Sequence, residues 1–248
     1  MRDQNKERAI ELNKTIPVII LAGGLGTRLQ GVLPNTQKVI ASVGGRPFLE
    51  IVLGKLAKAG FVNIILATGY NSEQVESVVN KNLFPSLNIV ISREKHPMGT
   101  AGAVKLAIEK IDEQHIMVLN GDTFFLCDYS KFINFHHTKE SECTLLLRRE
   151  KDGSRYGSVK LEDDNRIKDF SEKTFLGECL INAGAYIIDR KIISMIPSCR
   201  FFSLERDLFP LLVLNCKNLF GTVQNGVFID IGTPQSFIKA NNIIEKFI

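Results

Sequence analysis

The residues best suited to chemistry stand in Val18-Ile-Ile-Leu-Ala-Gly-Gly-Leu-Gly-Thr-Arg-Leu29. An apolar run enters a turn carrying Gly23, Gly24 and Gly26, and Arg28 follows. A strand ending in glycines brings bare backbone N–H groups to one spot, and the missing side chains let a large ligand approach that backbone. The planar guanidinium of Arg28 suits phosphate oxygens. These features together point to a nucleoside triphosphate site. The stretch is no dinucleotide fingerprint, because G-x-G-x-x-G counted from Gly24 would need glycine where Leu29 stands, and no P-loop pattern occurs. A tight turn without a ligand needs fewer glycines than this one has.

Two carboxylates follow apolar strands. Asp122 closes Asn120-Gly-Asp122, and Asp230 lies in Phe228-Ile-Asp-Ile-Gly-Thr233. Either alone reads as a helix cap or a surface acid. Beside a phosphate-binding turn, the pair suits a hard divalent cation, and a buried carboxylate needs such a partner. Lys38, Glu172 and Lys173 read by themselves as solvated surface charges. His96, His115, His136 and His137 fall in no ligand spacing and are assigned no chemistry. The five cysteines form no C-x-x-C pair, which argues for free thiols rather than a disulfide framework or zinc site. No Ser/His/Asp or Cys/His arrangement is evident.

The elements that must position these groups alternate. Strands are expected over 17–22, 62–67, 87–92 and 115–119. Helices are expected from Pro47 to Gly60, from Asn71 or Ser72 to about Asn80, and from Gly99 to Ile111. Lys38–Val43 reads as a short extended piece. This β-α-β-α-β-α-β pattern implies a parallel sheet with right-handed crossovers and ligands at the carboxyl ends of its strands, where the glycine turn and Asp122 both fall. The second half reads as a helix over 129–139, a strand over 143–147, and a hairpin of 156–161 with 166–170. A strand over 182–188 follows, then a helix over 203–214 bent near Pro210, a strand over 227–231 and a terminal helix capped by Thr233. The fold class is therefore α/β: a Rossmann-like, mostly parallel sheet flanked by helices, with a small antiparallel extension. Residues 1–15 read as a loosely attached extension suited to self-association in a homo-oligomer, and 16–248 as one domain.

The chain resembles the sugar-1-phosphate nucleotidyltransferases from Ile16 to about Asn242. Leu21-Ala-Gly-Gly-Leu-Gly-Thr-Arg-Leu29 carries the resemblance. Pro97-Met-Gly-Thr-Ala-Gly102, Leu119-Asn-Gly-Asp122, Ser171-Glu-Lys173, Asn182-Ala-Gly184 and Ile229-Asp-Ile-Gly-Thr233 support it in order. Gly121-Asp-Thr-Phe-Phe125, Arg155-Tyr-Gly157 and Phe228-Ile-Asp-Ile-Gly-Thr-Pro234 make it most similar to the D-glycero-D-manno-heptose 1-phosphate guanylyltransferases.

The resemblance implies the nucleotide-diphospho-sugar transferase fold and transfer of a nucleotidyl group from an NTP, GTP above all, to a sugar 1-phosphate, a heptose 1-phosphate above all. It also implies roles. Leu21, Ala22, Gly23 and Gly24 would meet base and ribose, and Gly26, Thr27 and Arg28 the β- and γ-phosphates. Lys38 would neutralise the α-phosphate, and Gly99 and Thr100 would lie over the base. Asp122 and Asp230 would bind Mg2+, Asp122 also serving the nucleotide. Glu172, Lys173, Asn182 and Gly184 would hold the sugar phosphate. Arg28, Lys38 and Lys173 would carry the charge stabilisation. The sequence departs from the family at Lys38, which stands between Gln37 and Val39 where the family carries prolines. Uridylyl, thymidylyl or cytidylyl transfer to another sugar phosphate remains open within the class. A non-catalytic regulatory subunit would be expected to have lost part of the set Arg28, Lys38, Asp122, Lys173 and Asp230.

Composition bounds the reading. At 248 residues, 44% hydrophobic and 23% charged, the chain has ample core, and a net charge of +4 is too mild to argue for nucleic acid. No apolar run approaches the ~20 residues that span a membrane. The polar N-terminus lacks the apolar region of a signal peptide, so a cytoplasmic location without a membrane partner is expected.

Overall fold

The computed structural model describes residues 2–24, 36–79, 83–172, 177–198, 200–215, 217–244 and 246. The chain begins with helix α1 (Arg2–Lys14) and strand β1 (Val18–Leu21). The expected extended piece over 38–43 is instead a 3₁₀ turn at Lys38–Ile40 and a miniature hairpin, β2 (Ser42–Val43) with β3 (Arg46–Pro47). Gly44 and Gly45, both at positive φ (58° and 77°), close its two-residue turn, which side chains would strain.

Helix α2 (Phe48–Ala59) follows and stops at Gly60 in a left-handed cap. Then come β4 (Asn63–Thr68), α3 (Ser72–Val79), β5 (Asn88–Arg93), α4 (Gly99–Ala107), β6 (His115–Asn120) and β7 (Thr123–Phe125). Helix α5 (Tyr129–Thr138) is capped by the Asp128 carboxylate, which accepts the Lys131 N–H at 3.0 Å.

The second half holds β8 (Cys143–Glu150), β9 (Gly157–Leu161), β10 (Ile167–Glu172), β11 (Cys179–Asp189), α6 (Arg190–Ser194), α7 (Phe209–Leu214), β12 (Leu219–Val223), β13 (Phe228–Asp230) and α8 (Pro234–Ile244). The expected bend in the helix over 203–214 is a π-helical turn over Leu204–Leu208 that gives way to α7, with Pro210 in the first turn. Strands β7 and β12 and helix α6 have no counterpart in the sequence reading.

The main sheet runs β10-β9-β11-β6-β1-β4-β5, with β8 pairing β11 and β12. Strands β6, β1, β4 and β5 are parallel, as the alternation requires, while β11 returns antiparallel to β6. Strand periodicity sorts side chains to two faces. Val18, Ile20, Met117 and Leu119 meet α2, α5 and α8 on one face, while Ile19, Ile116 and Val118 meet α4, α6 and α7 on the other. Truncating one of these, such as Ile19→Ala, would cost roughly 2–5 kcal/mol.

Helix α1 is tied at its last turns. Asn13 donates to the Ala59 carbonyl at 2.7 Å, and Leu12 packs on the core. Among the described residues no helix is long and apolar enough to cross a membrane.

Candidate active site

Parallel pairing brings four strand ends to one edge. Leu21 pairs with Ala67 and Asn120, and Thr68 pairs with Arg93. The chain beyond each end therefore lines a common cleft, as in other open parallel sheets. Gly121 donates to the Leu21 carbonyl at 3.0 Å, and a Cβ at Gly121 would stand 2.4 Å from that oxygen. Glycine in Asn120-Gly-Asp122 is thus what lets Asp122 swing beside the end of β1.

The cleft has two compartments. One, of about 440 Å³, is lined by Leu21, Gly23, Gly24, Glu94, Pro97, Gly99 and Gly121. The other, of about 430 Å³, is lined by Arg155, Tyr156, Asn182, Gly184, Arg206, Phe228 and Asp230. Lys38, Thr100, Asn120, Asp122, Phe201 and Glu205 border both.

The shared wall is charged. Lys38 Nζ donates to Asp122 Oδ2, and Thr123 Oγ1 donates to Asp122 Oδ1 at 3.1 Å. The β7–β13 ribbon pairs Thr123 with Asp230, which sets the two carboxylates side by side. Asp230 accepts Gly232 N–H at 2.6 Å and the Arg155 guanidinium at 2.8 Å. Burial pushes the Asp230 carboxyl above its ordinary value, and the Asp122 charge pushes it further, against the pull of Lys38, Gly232 and Arg155. Adjacent carboxylates, one largely desolvated, form an all-oxygen donor set that fits a hard divalent cation. Asn120 Oδ1, buried and bordering both compartments, has no hydrogen-bond partner among the described residues. It is an acceptor of the kind a substrate hydroxyl or amine satisfies.

The wall of the second compartment depends on a bulge. The register of β11 against β8 shifts between Asn182 and Tyr186, and Gly184 sits at φ 73°. Asn182 Oδ1 accepts Gly184 N–H at 2.9 Å, while its Nδ2 donates to Tyr186 Oη at 2.7 Å. Tyr186 in turn donates to Glu205 Oε1 at 3.3 Å. The other Glu205 oxygen accepts Thr100 Oγ1 at 2.9 Å and Ser203 Oγ at 3.0 Å. One carboxylate therefore ties the start of α4, on the wall of the first compartment, to the bulge on the wall of the second. Leu204 N–H donates to Thr100 Oγ1, and the Phe202 carbonyl accepts Ala101 N–H, so the two segments are clamped through their backbones as well.

In the first compartment, Glu94 stands at the end of β5. Its Oε2 accepts Met98 N–H at 3.1 Å, and its Oε1 lies 3.5 Å from where a Cβ on Gly23 would stand. Partial burial raises its carboxyl above the ordinary value, with the Met98 hydrogen bond opposing.

Of the residues singled out from sequence, Leu21, Gly23, Gly24, Lys38, Gly99, Thr100, Asp122, Asn182, Gly184 and Asp230 all border this cleft. Ala22 is buried behind it, donating to the Ala67 carbonyl. Glu172 ends β10. Gly26, Thr27, Arg28 and Lys173 lie outside the described residues. Glu94, Asn120, Arg155, Glu205 and Arg206 were not singled out. Arg155-Tyr-Gly157 and Asn120 stand in motifs that carry the resemblance, with no role implied for Arg155 or Asn120 themselves. Glu94 sits in the charged run Arg93-Glu-Lys95, and Glu205 in a stretch read only as helix.

A model of the family described as Nucleotidyl transferase matches residues 17–246. D-glycero-alpha-D-manno-heptose 1-phosphate guanylyltransferase of Aneurinibacillus thermoaerophilus is 36% identical over 93% of this chain and 99% of its own length. Mannose-1-phosphate guanylyltransferase of Mycobacterium tuberculosis is 33% identical over 91% of this chain, which spans 64% of that protein. The crystal structure of HddC from Yersinia pseudotuberculosis complexed with GMP-PN superposes with a TM-score of 0.82 at 35% identity, covering 94% of this chain and all of that one. The resemblance read from the motifs is borne out at the level of family, and the fold with it.

Proposed function

The chain belongs to the nucleotidyl transferase family, and from that premise we propose that its cleft joins GTP to a heptose 1-phosphate, giving a GDP-sugar and pyrophosphate for surface glycan synthesis. One observation carries the reading: two compartments of similar volume, 440 and 430 Å³, meet at Lys38 and Asp122. That is the arrangement needed to bring two phosphorylated substrates head to head. GTP occupies the compartment at the glycine turn, and the sugar occupies the one at the β11 bulge.

A sugar-phosphate oxygen attacks the α-phosphorus in line. A new P–O bond forms as the bond to the β-phosphate bridging oxygen breaks, and pyrophosphate leaves with that electron pair. No general base is required, because a phosphate monoester is already an anionic nucleophile near neutral pH. The barriers are repulsion between anions and orientation, so catalysis is positioning plus charge stabilisation. Lys38, at the junction, offsets the charge on the α-phosphate. Arg155 and Arg206 add cations on the sugar side, with Lys173 assigned there and Arg28 to the departing pyrophosphate by the family motif. Asp122 and Asp230 would hold Mg2+, which when bound would neutralise phosphate charge. Asn182 and Asn120 meet sugar hydroxyls.

Base choice falls to Glu94. A carboxylate offers two acceptor oxygens, and the Watson–Crick edge of guanine presents two adjacent donors, N1–H and the 2-amino group. Uracil, thymine and cytosine do not offer that pair. The GMP-PN complex of HddC and the guanylyltransferase names of the relatives support the same base. The Mycobacterium tuberculosis relative is named for mannose 1-phosphate, so that sugar is the second reading.

Pyrophosphate release measured with each NTP, Mg2+ and a panel of sugar 1-phosphates tests the proposal. GTP with a heptose 1-phosphate is expected to be fastest. Equal rates with UTP would remove the guanylyl assignment, and no release with any pair would remove the catalytic reading.

A further inference from the structure

The histidines fall in no ligand spacing along the chain, yet the fold gathers three of the four in one place. His115 opens β6, and Asp189, which closes β11, is its direct partner in the antiparallel ladder. His136 lies on α5, packed against both, and is 1% exposed. His115 Nδ1 stands 2.8 Å from Asp189 Oδ1, His136 Nε2 stands 3.1 Å from His115 Nδ1, and His136 Nε2 stands 3.6 Å from Asp189 Oδ1. We infer that His115, His136 and Asp189 form a binding site for a borderline transition metal of the Zn2+ class, at the end of β6 away from the substrate cleft.

Geometry carries this. The three distances describe a triangle whose circumradius is about 1.9 Å, so a point about 2.0–2.1 Å from all three donor atoms lies just off their plane, at the Zn–N and Zn–O bond length. A proton placed among these atoms joins one pair at a time, whereas a cation satisfies all three. The outer hydrogen bond is also right. His136 Nδ1 is 2.8 Å from Thr144 Oγ1, and donation to that hydroxyl leaves the Nε2 lone pair facing the other two donors. Metal-bound histidines are commonly oriented in this way. All three ligands sit on a helix or on paired strands, so the constellation is held before metal arrives.

The surroundings leave room for it. Lys191 Nζ bonds Glu142 Oε1 at 3.1 Å and approaches Asp189 at 3.5 Å, but through the other carboxylate oxygen, Oδ2. Burial, with the charges of Asp189 and Glu142, keeps the nearby Cys143 thiol protonated, so it does not compete as a thiolate ligand. His137, exposed on the next position of α5, has its ring centroid 5.0 Å from that of His115 but brings no nitrogen into the cluster, so water completes the coordination. Two imidazoles select Zn2+, Ni2+ or Co2+ over Mg2+ or Ca2+. Asn120 and His115 are five residues apart on one strand, about 16 Å, so the metal would staple β6, α5 and β11 without touching substrate.

The test uses the full chain stripped with EDTA and held in saturating Mg2+, which fills the carboxylate pair of the cleft. Titration with Zn2+ is expected to show one site per chain with micromolar or tighter affinity. Co2+ in its place should give the intense visible absorption of a four-coordinate ion. His136→Ala and His115→Ala should each weaken binding at least tenfold and abolish the Co2+ signal, while His96→Ala leaves both intact. Because the buried His136 ring contributes to packing, His115→Ala, at the more exposed ring, is the arm that stands if His136→Ala fails to fold. Zn2+ should raise Tm of the wild type by several degrees and not that of His115→Ala, whose Mg2+-dependent turnover should remain at the wild-type rate. Zn2+ binding equal in wild type and His115→Ala, or absent from both, would overturn the assignment.

Discussion

The two compartments of the cleft are built in opposite ways. The compartment proposed for the nucleotide is largely backbone: Gly23, Gly24, Gly99 and Gly121 present main chain at strand ends and a helix start, with Glu94 as its distinctive charge. The compartment proposed for the sugar is largely side chain: Arg155, Asn182, Arg206 and Asp230 reach it from separate segments, all in the second half of the chain. A backbone surface recognises what every nucleotide shares, while side chains and one carboxylate discriminate. The difference predicts that variants will separate by substrate, except at the wall the compartments share.

The largest effect is expected at that wall. Asp122 touches Lys38 and Thr123 and stands beside Asp230. Asp122→Asn keeps the shape and removes a charge shared by Lys38 and the proposed metal. Turnover should fall about 10²- to 10³-fold with either substrate saturating, while circular dichroism is unchanged. Near wild-type turnover would mean that the wall is structural and the comparison has no shared element.

Arg155→Ala should separate the compartments. Its guanidinium holds Asp230 at 2.8 Å on the sugar side. The kcat/KM for sugar phosphate should drop roughly 10- to 100-fold, with KM for GTP within about threefold of wild type. Equal damage to both constants would place Arg155 in the nucleotide site.

Glu94→Gln probes the other side with a smaller effect. The amide keeps one acceptor and replaces the other with a donor, which faces a donor on guanine. Preference for GTP over UTP should narrow by about tenfold, with KM for sugar phosphate unaffected. Initial rates with the two nucleotides check this, and an unchanged preference would move base selection elsewhere.

The same contrast explains what could be read from the chain. A backbone-built surface needs consecutive small residues, so the glycine turn and Asn120-Gly-Asp122 stood out as motifs, and strand and helix periods set the parallel half. A side-chain surface leaves only isolated polar residues, each indistinguishable from solvated charge. Arg155, Arg206 and Glu205 gained meaning only once β11 had bulged at Gly184 and the π turn had set Glu205 between Thr100 and Tyr186. The three-residue β7 was too short for a period to register, and the parallel edge strand β12, Leu-Phe-Gly-Thr-Val, has its alternation broken by Gly221. The histidine cluster shows the limit most clearly, since His115 and Asp189 are 74 residues apart and meet only through ladder register.

The smallest effect is a pH dependence confined to the nucleotide side. Partial burial raises the Glu94 carboxyl above its ordinary value, with the Met98 N–H bond pulling the other way. A raised acid takes up its proton at a higher pH than an exposed glutamate does. As pH falls through that value the carboxylate becomes a carboxylic acid, one acceptor is lost, and guanine binds less well. KM for GTP should therefore rise on the acidic side beginning above about pH 4.5, the ordinary glutamate range. Glu94→Gln cannot titrate there, so its KM should be higher throughout and flat over the same interval, while the sugar-phosphate KM follows one profile in both proteins. Guanine binding tightens as Glu94 ionises, so affinity must increase with pH; a GTP KM that falls as the solution is acidified would contradict acceptor recognition by this carboxylate.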